Sequence, residues 1–216
     1  MADMSLLLSQ FRIVPVIVLD DPDDAAGLAN ALMDGGLPCA EITLRTPGAI
    51  EAIRRMAGER PEMFIGAGTV LNEKQAEQAQ EAGAQFIVSP GFSGGVVNYC
   101  LENGLPVFPG VCTPTEIIAA LDAGVTALKF FPAEAMGGVT TLKAVSAPFG
   151  DVRFIPTGGV NERNVCDYLA VPNVIACGGS WMAPSAWIAA NHFDRITQTV
   201  REAVVLVAQA KPESTQ

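Results

Sequence analysis

The sequence is poor in the residues that hold metals and cross-links. It has one histidine, His192, in 216 residues, and its five cysteines form no C-x-x-C pair. A zinc site or a disulfide framework needs clustered ligands or paired thiols, so both are disfavoured. An odd set of cysteines fits reduced thiols and a cytoplasmic setting. Basic charge is scarce too: 13 Lys and Arg face 23 Asp and Glu, a net charge of −10. A nucleic-acid surface needs a basic face, so that class is disfavoured. The balance does not exclude a small anionic substrate, because a pocket can be locally positive. No stretch combines the length and apolarity of a membrane span. The opening "MADMSLLLSQFRIVPVIVLDD" lacks a basic n-region and a small-residue cleavage site, so it reads as a mature start. Neither a Walker A motif nor a G-x-G-x-x-G opening a first helix occurs.

What is present is a regular alternation. Half of the chain is apolar, enough for a substantial core. Eight short apolar runs recur, at 13–19, 39–44, 63–68, 85–90, 106–111, 127–132, 153–159 and 174–180. Each has the length and β-branched content of a strand. Their starts lie about 20 to 26 residues apart, room for one helix and two short loops. The intervening segments carry helix signals. "NEKQAEQAQEAG" starts at Asn72 and stops at Gly83, and "TPTEIIAALDAG" opens with Thr113, Pro114 and Glu116 and stops at Gly124. The last segment, about 184–209, reads as one long helix followed by a polar tail, "KPESTQ". Eight such units predict an α/β fold of the (β/α)8 TIM-barrel kind; an open doubly wound sheet is the alternative. No shift in composition marks a boundary, so residues 1–216 are expected to form a single domain.

In a barrel of this kind, chemistry gathers where the strands end. Lys129 lies in the apolar run "ALKFFP", the only one of four lysines so placed. It reads either as a snorkelling or ion-paired lysine, or as a poorly solvated amine able to attack a carbonyl and form a Schiff base. Glu41 and Thr43 point the same way on the second run, and Arg45 ends it. A carboxylate inside a barrel is costly unless it is paired or used. "TGGVNERN" (157–164) and "GGSWMAPS" (178–185) follow runs seven and eight. They read as simple turns, or as a phosphate site made of backbone N–H groups. His192 sits in the expected terminal helix, where a catalytic role is disfavoured, and the cysteines read as small core fillers.

"GLPCAEITLR" (36–45) and "GVTALKFFPAEAMG" (124–137) resemble the two signature segments of the aldolases for 2-keto-3-deoxy-6-phosphogluconate (KDPG) and 4-hydroxy-2-oxoglutarate (KHG). "RIVPVI", "GAGTVL", "SPG", "PTGGV" and "GGSW" are similar to that family as well, so the likeness covers about 11–205. The resemblance implies a class I aldolase of the Entner–Doudoroff pathway, free of metal and cofactor, on a homotrimeric barrel. Its substrate is a phosphorylated 2-keto acid, cleaved to pyruvate and D-glyceraldehyde 3-phosphate, with KHG cleavage alongside. Lys129 matches the Schiff-base lysine and Glu41 the general acid/base. Arg45 and Thr69 match the groups holding the pyruvate carboxylate, and Pro90 and Phe131 the apolar walls. Gly158, Gly159, Gly179 and Ser180 match the phosphate site. Arg12 matches a basic residue near the first strand, expected to help at the carboxylate or phosphate end. "TLRT" and "PTGG" are closer to gluco-type members, with Thr157 tied to that stereochemical choice. A galactonate-type aldolase, a barrel that only binds a phosphorylated metabolite, and an isomerase or epimerase of the same fold are the alternatives. Departures fall outside the motif positions, at Cys39, Met136 and "SGGVVN".

Overall fold

β-Branched strands and well-punctuated helices alternate along the whole chain. The structure, a computed structural model, describes residues 4–210, with side chains from Leu8 onward; the tail "KPESTQ" lies outside the described residues. A short helix, α1 (Met4–Phe11), precedes the first unit, with no strand of its own. Then follow β1 (Ile13–Ile17), a 3-10 turn (Pro22–Asp24), α2 (Ala25–Asp34), β2 (Cys39–Thr43), α3 (Ala49–Glu59), β3 (Phe64–Gly68) and α4 (Glu73–Glu81). The middle holds β4 (Phe86–Val88), α5 (Gly94–Glu102), β5 (Val107–Phe108), β6 (Gly110–Val111), α6 (Pro114–Asp122) and β7 (Ala127–Phe130). The chain continues through α7 (Gly138–Ser146), β8 (Arg153–Pro156), α8 (Val165–Leu169), β9 (Cys177–Gly179), α9 (Ser185–Ala189) and α10 (Phe193–Gln209).

All strand pairs are parallel, and they run as β5-β4-β3-β2-β1-β9 and β6-β7-β8. The two sheets are halves of one ring. β5 and β6 are the two pieces of the fifth expected strand, interrupted at Pro109, which has no N–H to give a ladder. The Pro109 carbonyl still accepts from Lys129 N–H at 3.0 Å. At the other seam, bridges Phe154–Val174 and Thr157–Gly178 join β8 to the β9 segment. The eight expected runs therefore occupy eight positions of a (β/α)8 barrel.

Local signals act where they were expected. Asn72 caps α4, its side chain accepting from Gln75 N–H. Thr113 and Glu116 form a reciprocal capping box on α6 with Pro114 in the first turn. Outside the strands, α10 buries Ile196, Val200, Ala203 and Val207, one face at helical spacing. That face closes the helix ring against α2, where Thr197 Oγ1 donates to the Ala31 carbonyl at 3.2 Å. Each of the buried Ile and Val side chains there contributes about 1.5–3 kcal/mol.

The segment 184–209 is not one helix. It breaks between α9 and α10 at Asn191, whose φ is +55°. Asparagine tolerates the left-handed region better than most residues, which lets the chain turn a corner inside an otherwise helical pattern. His192 N–H donates to the Trp187 carbonyl at 2.9 Å, and the Arg195 guanidinium lies 3.9 Å from the Trp187 ring centre, which holds the corner. Among the described residues, no helix is long and apolar enough to cross a membrane.

Candidate active site

Alternation along β7 explains how a lysine fits an apolar run. Leu128 and Phe130 are fully buried on one side, and Lys129 points to the other, into the barrel. Glu41 is central in β2, in register with Val16 on one side and Gly66 on the other. The two side chains come from non-neighbouring strands and meet across the interior. Lys129 Nζ donates to Glu41 Oε1 at 3.2 Å, and the side chains are only 6% and 5% exposed. Two opposite charges out of water offset part of each other's desolvation cost; removing one leaves the other stranded.

Space for this pair is made by a missing side chain. A Cβ on Gly68 would come within 2.6 Å of Glu41 Cγ and 2.7 Å of Cδ, and would collide with Oε1. Gly66, on the same face of β3, leaves room for the Phe86 ring in the same way. Beneath the pair the interior is apolar, lined by Val14, Phe86, Phe108 and Leu8 of α1.

The other expected residues gather at the C-terminal ends of the strands, with one exception. Arg45 Nε donates to Thr69 Oγ1 at 3.2 Å, joining the ends of β2 and β3, and Arg45 is exposed. Thr157 is buried and lines the same cavity as Lys129 and Glu41. The Phe131 ring centre lies 5.2 Å from Lys129 Nζ. Gly158 and Gly159 both have positive φ, +99° and +82°, and a Cβ on Gly158 would sit 3.3 Å from the Phe131 ring. The bridge between Thr157 and Gly178 sets the turn after β8 beside the end of β9, where Gly179 is buried and Ser180 exposed. Pro90 follows β4 and packs its carbonyl against Gly110, where a Cβ would collide.

Arg12 is the exception, and the expectation for it is corrected. It precedes β1, at the strand end opposite the mouth. It lies four residues before Val16, the register partner of Glu41, which is roughly 13 Å along a strand. Its guanidinium donates instead to the Ala210 carbonyl at 2.6 Å, just past α10. His192 is exposed at the α9–α10 corner. Burial pushes the thiols of Cys39 and Cys177 up, and that of Cys100 up to about 12, as suits core fillers. Among the described residues, no cluster of three His, Cys, Asp or Glu could hold a metal ion.

Two residues that shape this mouth escaped the sequence reading. One is Gly68, signalled only by the alternating glycines of "GAG". The other is Tyr168 of α8, one of two tyrosines, whose buried hydroxyl donates to Glu134 Oε1. Burial, and then that hydrogen bond, push the phenol well above its ordinary range.

Three comparisons with known proteins each find relatives of one kind. A family model described as "Aldolase: KDPG and KHG aldolase" matches residues 4–199. A 2-dehydro-3-deoxy-phosphogluconate aldolase of Treponema pallidum (strain Nichols) is 47% identical over 200 residues, covering 93% of this chain and 95% of the relative. A KHG/KDPG aldolase of Escherichia coli (strain K12) is 46% identical over 198 residues, covering 92% and 93%. Among solved structures, the KDPG aldolase of Legionella pneumophila superposes with a TM-score of 0.89 at 39% identity, covering 92% of this chain and 96% of that one. That structure holds pyruvate captured at low pH as a covalent carbinolamine intermediate.

Proposed function

The chain belongs to the KDPG and KHG aldolase family, and from that premise we propose that it cleaves 2-dehydro-3-deoxy-6-phosphogluconate to pyruvate and D-glyceraldehyde 3-phosphate through a Schiff base on Lys129. The observation that carries this reading is the buried Lys129–Glu41 pair, 3.2 Å apart at the barrel mouth. An amine and a carboxylate in contact can pass a proton between them, which both the attack on a carbonyl and the later proton transfers require.

The steps follow from that pair. The Lys129 amine adds to the C2 carbonyl to give a carbinolamine, which loses water to an iminium. Glu41 takes the proton of the C4 hydroxyl, the C3–C4 bond breaks, and its electron pair moves into the iminium to leave an enamine. The aldehyde departs. C3 of the enamine then takes the proton back from Glu41, and water releases pyruvate and the free amine. The Legionella relative's carbinolamine supports the first step.

Around this centre, Arg45 offers a planar fork to the carboxylate, with Thr69 beside it. Phe131 and Pro90 wall the ketoacid, and Thr157 faces the carbon whose configuration is chosen. The backbone of Gly158, Gly159 and Gly179, with Ser180, grips the phosphate. Binding at that remote end orients the reacting bond. Cleavage of 4-hydroxy-2-oxoglutarate, assembly as a homotrimer and a cytoplasmic location belong to the same reading and rest on family membership.

Turnover of KDPG, followed as pyruvate release through lactate dehydrogenase, tests the proposal. The wild type is expected to release pyruvate, and Lys129→Ala to lose more than about a thousandfold in kcat. Tight binding of the substrate without turnover in the wild type would make the chain a binding barrel instead, and retained turnover in Lys129→Ala would favour an isomerase-like chemistry.

A further inference from the structure

The turn after β8 is pinned by the segment that follows β7. Ala133 N–H donates to the Thr157 carbonyl at 2.8 Å, and Glu134 N–H to the Gly158 carbonyl at 3.0 Å. The Glu134 side chain adds a third contact. A Cβ on Gly159 would come within 2.6 Å of both Cβ and Cγ of Glu134, so the stem lies flat against that glycine. The carboxylate is itself fixed: Oε1 accepts from the hydroxyl of Tyr168, a fully buried residue of α8. That oxygen also borders Gly138, where a Cβ would lie 3.2 Å from it and 3.5 Å from the Tyr168 hydroxyl.

A buried phenol needs a partner for its O–H, and a carboxylate is a strong one. The arrangement does more than satisfy Tyr168. It fastens a side chain whose stem supports a turn of two left-handed glycines. A carboxylate free to swing toward an anion would also repel it; here it is tied to the α8 side.

We propose that Glu134, anchored by Tyr168, is a positioning residue for the phosphate end of the substrate, acting by fixing the Thr157–Gly159 turn. This rests on reading the turns at Gly158–Gly159 and Gly179–Ser180 as the phosphate subsite. Glu134 touches no reacting atom; it holds the backbone that holds the phosphate.

The test separates the two ends of the substrate. KM and kcat for KDPG are measured in Glu134→Ala, Glu134→Gln and Tyr168→Phe. The pyruvate concentration that half-saturates borohydride trapping is measured in the same variants, because pyruvate carries no phosphate. Glu134→Ala is expected to raise KM for KDPG roughly tenfold and to lower kcat modestly, with the pyruvate midpoint within about twofold of wild type. Tyr168→Phe keeps the ring and loses the anchor, for a rise of about threefold. Glu134→Gln keeps the stem and an acceptor oxygen and should restore KM to within about twofold of wild type. Equal damage to KDPG cleavage and pyruvate trapping, or a Gln variant as poor as the Ala variant, overturns the positioning role. Ser180→Ala separates the role of Glu134 from the phosphate subsite itself. If it raises KM while Glu134→Ala does not, the role of Glu134 alone falls. If neither raises KM, the phosphate reading falls with it.

Discussion

The two ends of the barrel are built from the same strands and do opposite things with polar residues. At the C-terminal mouth, Lys129, Glu41 and Thr157 are buried and face one cavity. At the N-terminal floor, Leu8 and Val14 fill the interior, and Arg12 turns outward to cap the carbonyl of Ala210. Buried charge at the mouth is costly and is offset in part by its opposite charge 3.2 Å away; the charge at the floor is half-buried and serves the closure of the fold. The strand end on which a polar group sits decides which of these roles it takes.

Four substitutions sharpen that contrast. The largest effect is expected at Gly68, where an added Cβ must displace the Glu41 carboxylate. Gly68→Ala should lower kcat for KDPG cleavage about a hundredfold or more, from misplacement alone; near-normal turnover would mean that Glu41 is free to act from another position. Next is Arg45→Ala, which removes the exposed fork joined to Thr69. A roughly tenfold weaker half-saturation by pyruvate in trapping experiments is expected, with the fold intact. At the floor, Arg12→Met should leave kcat and KM within about twofold of wild type. It should cost about 1–2 kcal/mol of stability in urea unfolding, through the lost hydrogen bond to Ala210. A selective loss of substrate affinity would return Arg12 to the substrate.

The smallest effect belongs to the α6 cap. Burial raises the Glu116 carboxyl, but hydrogen bonds from Cys112 N–H and from the hydroxyl and N–H of Thr113 leave it, on balance, below its ordinary value of 4.5. A group lowered by folding stabilises the native state above that ordinary value, and the contribution is lost as pH falls through the folded one. The stability difference between wild type and Glu116→Gln should therefore be about 0.5 kcal/mol near neutrality, since the group is only partly buried. It should shrink as pH falls below about 4.5. A difference that does not change with pH would remove the charge from the cap's contribution.

Much of this was legible in the chain because strand and helix signals are local. The eight runs, the Asn72 cap, the capping box at Thr113 and the inward direction of Glu41 all follow from neighbours in sequence. What was not legible depends on closure. Lys129 and Glu41 are 88 residues apart, and their contact exists only because the strands curl into a ring. The demand for glycine at position 68 is set by that same contact, so "GAG" read only as a strand end. Pro109 divides a strand without ending the unit, because its carbonyl still accepts from Lys129 N–H and the Val111 carbonyl from Phe131 N–H. Asn191 hides a corner inside a helical pattern, because one residue in the left-handed region is enough to make it. Arg12 was misplaced for a different reason: a residue that precedes a parallel strand lies at the floor, which the direction of β1 alone already implies.

In the proposed reaction the lysine buried at the mouth is the nucleophile. Incubation with pyruvate and borohydride, followed by peptide mass mapping, tests it most directly. A reduced pyruvyl adduct is expected on the peptide that contains Lys129, absent in Lys129→Ala. An adduct on Lys143 or Lys74, or none in an enzyme that turns over, would contradict it.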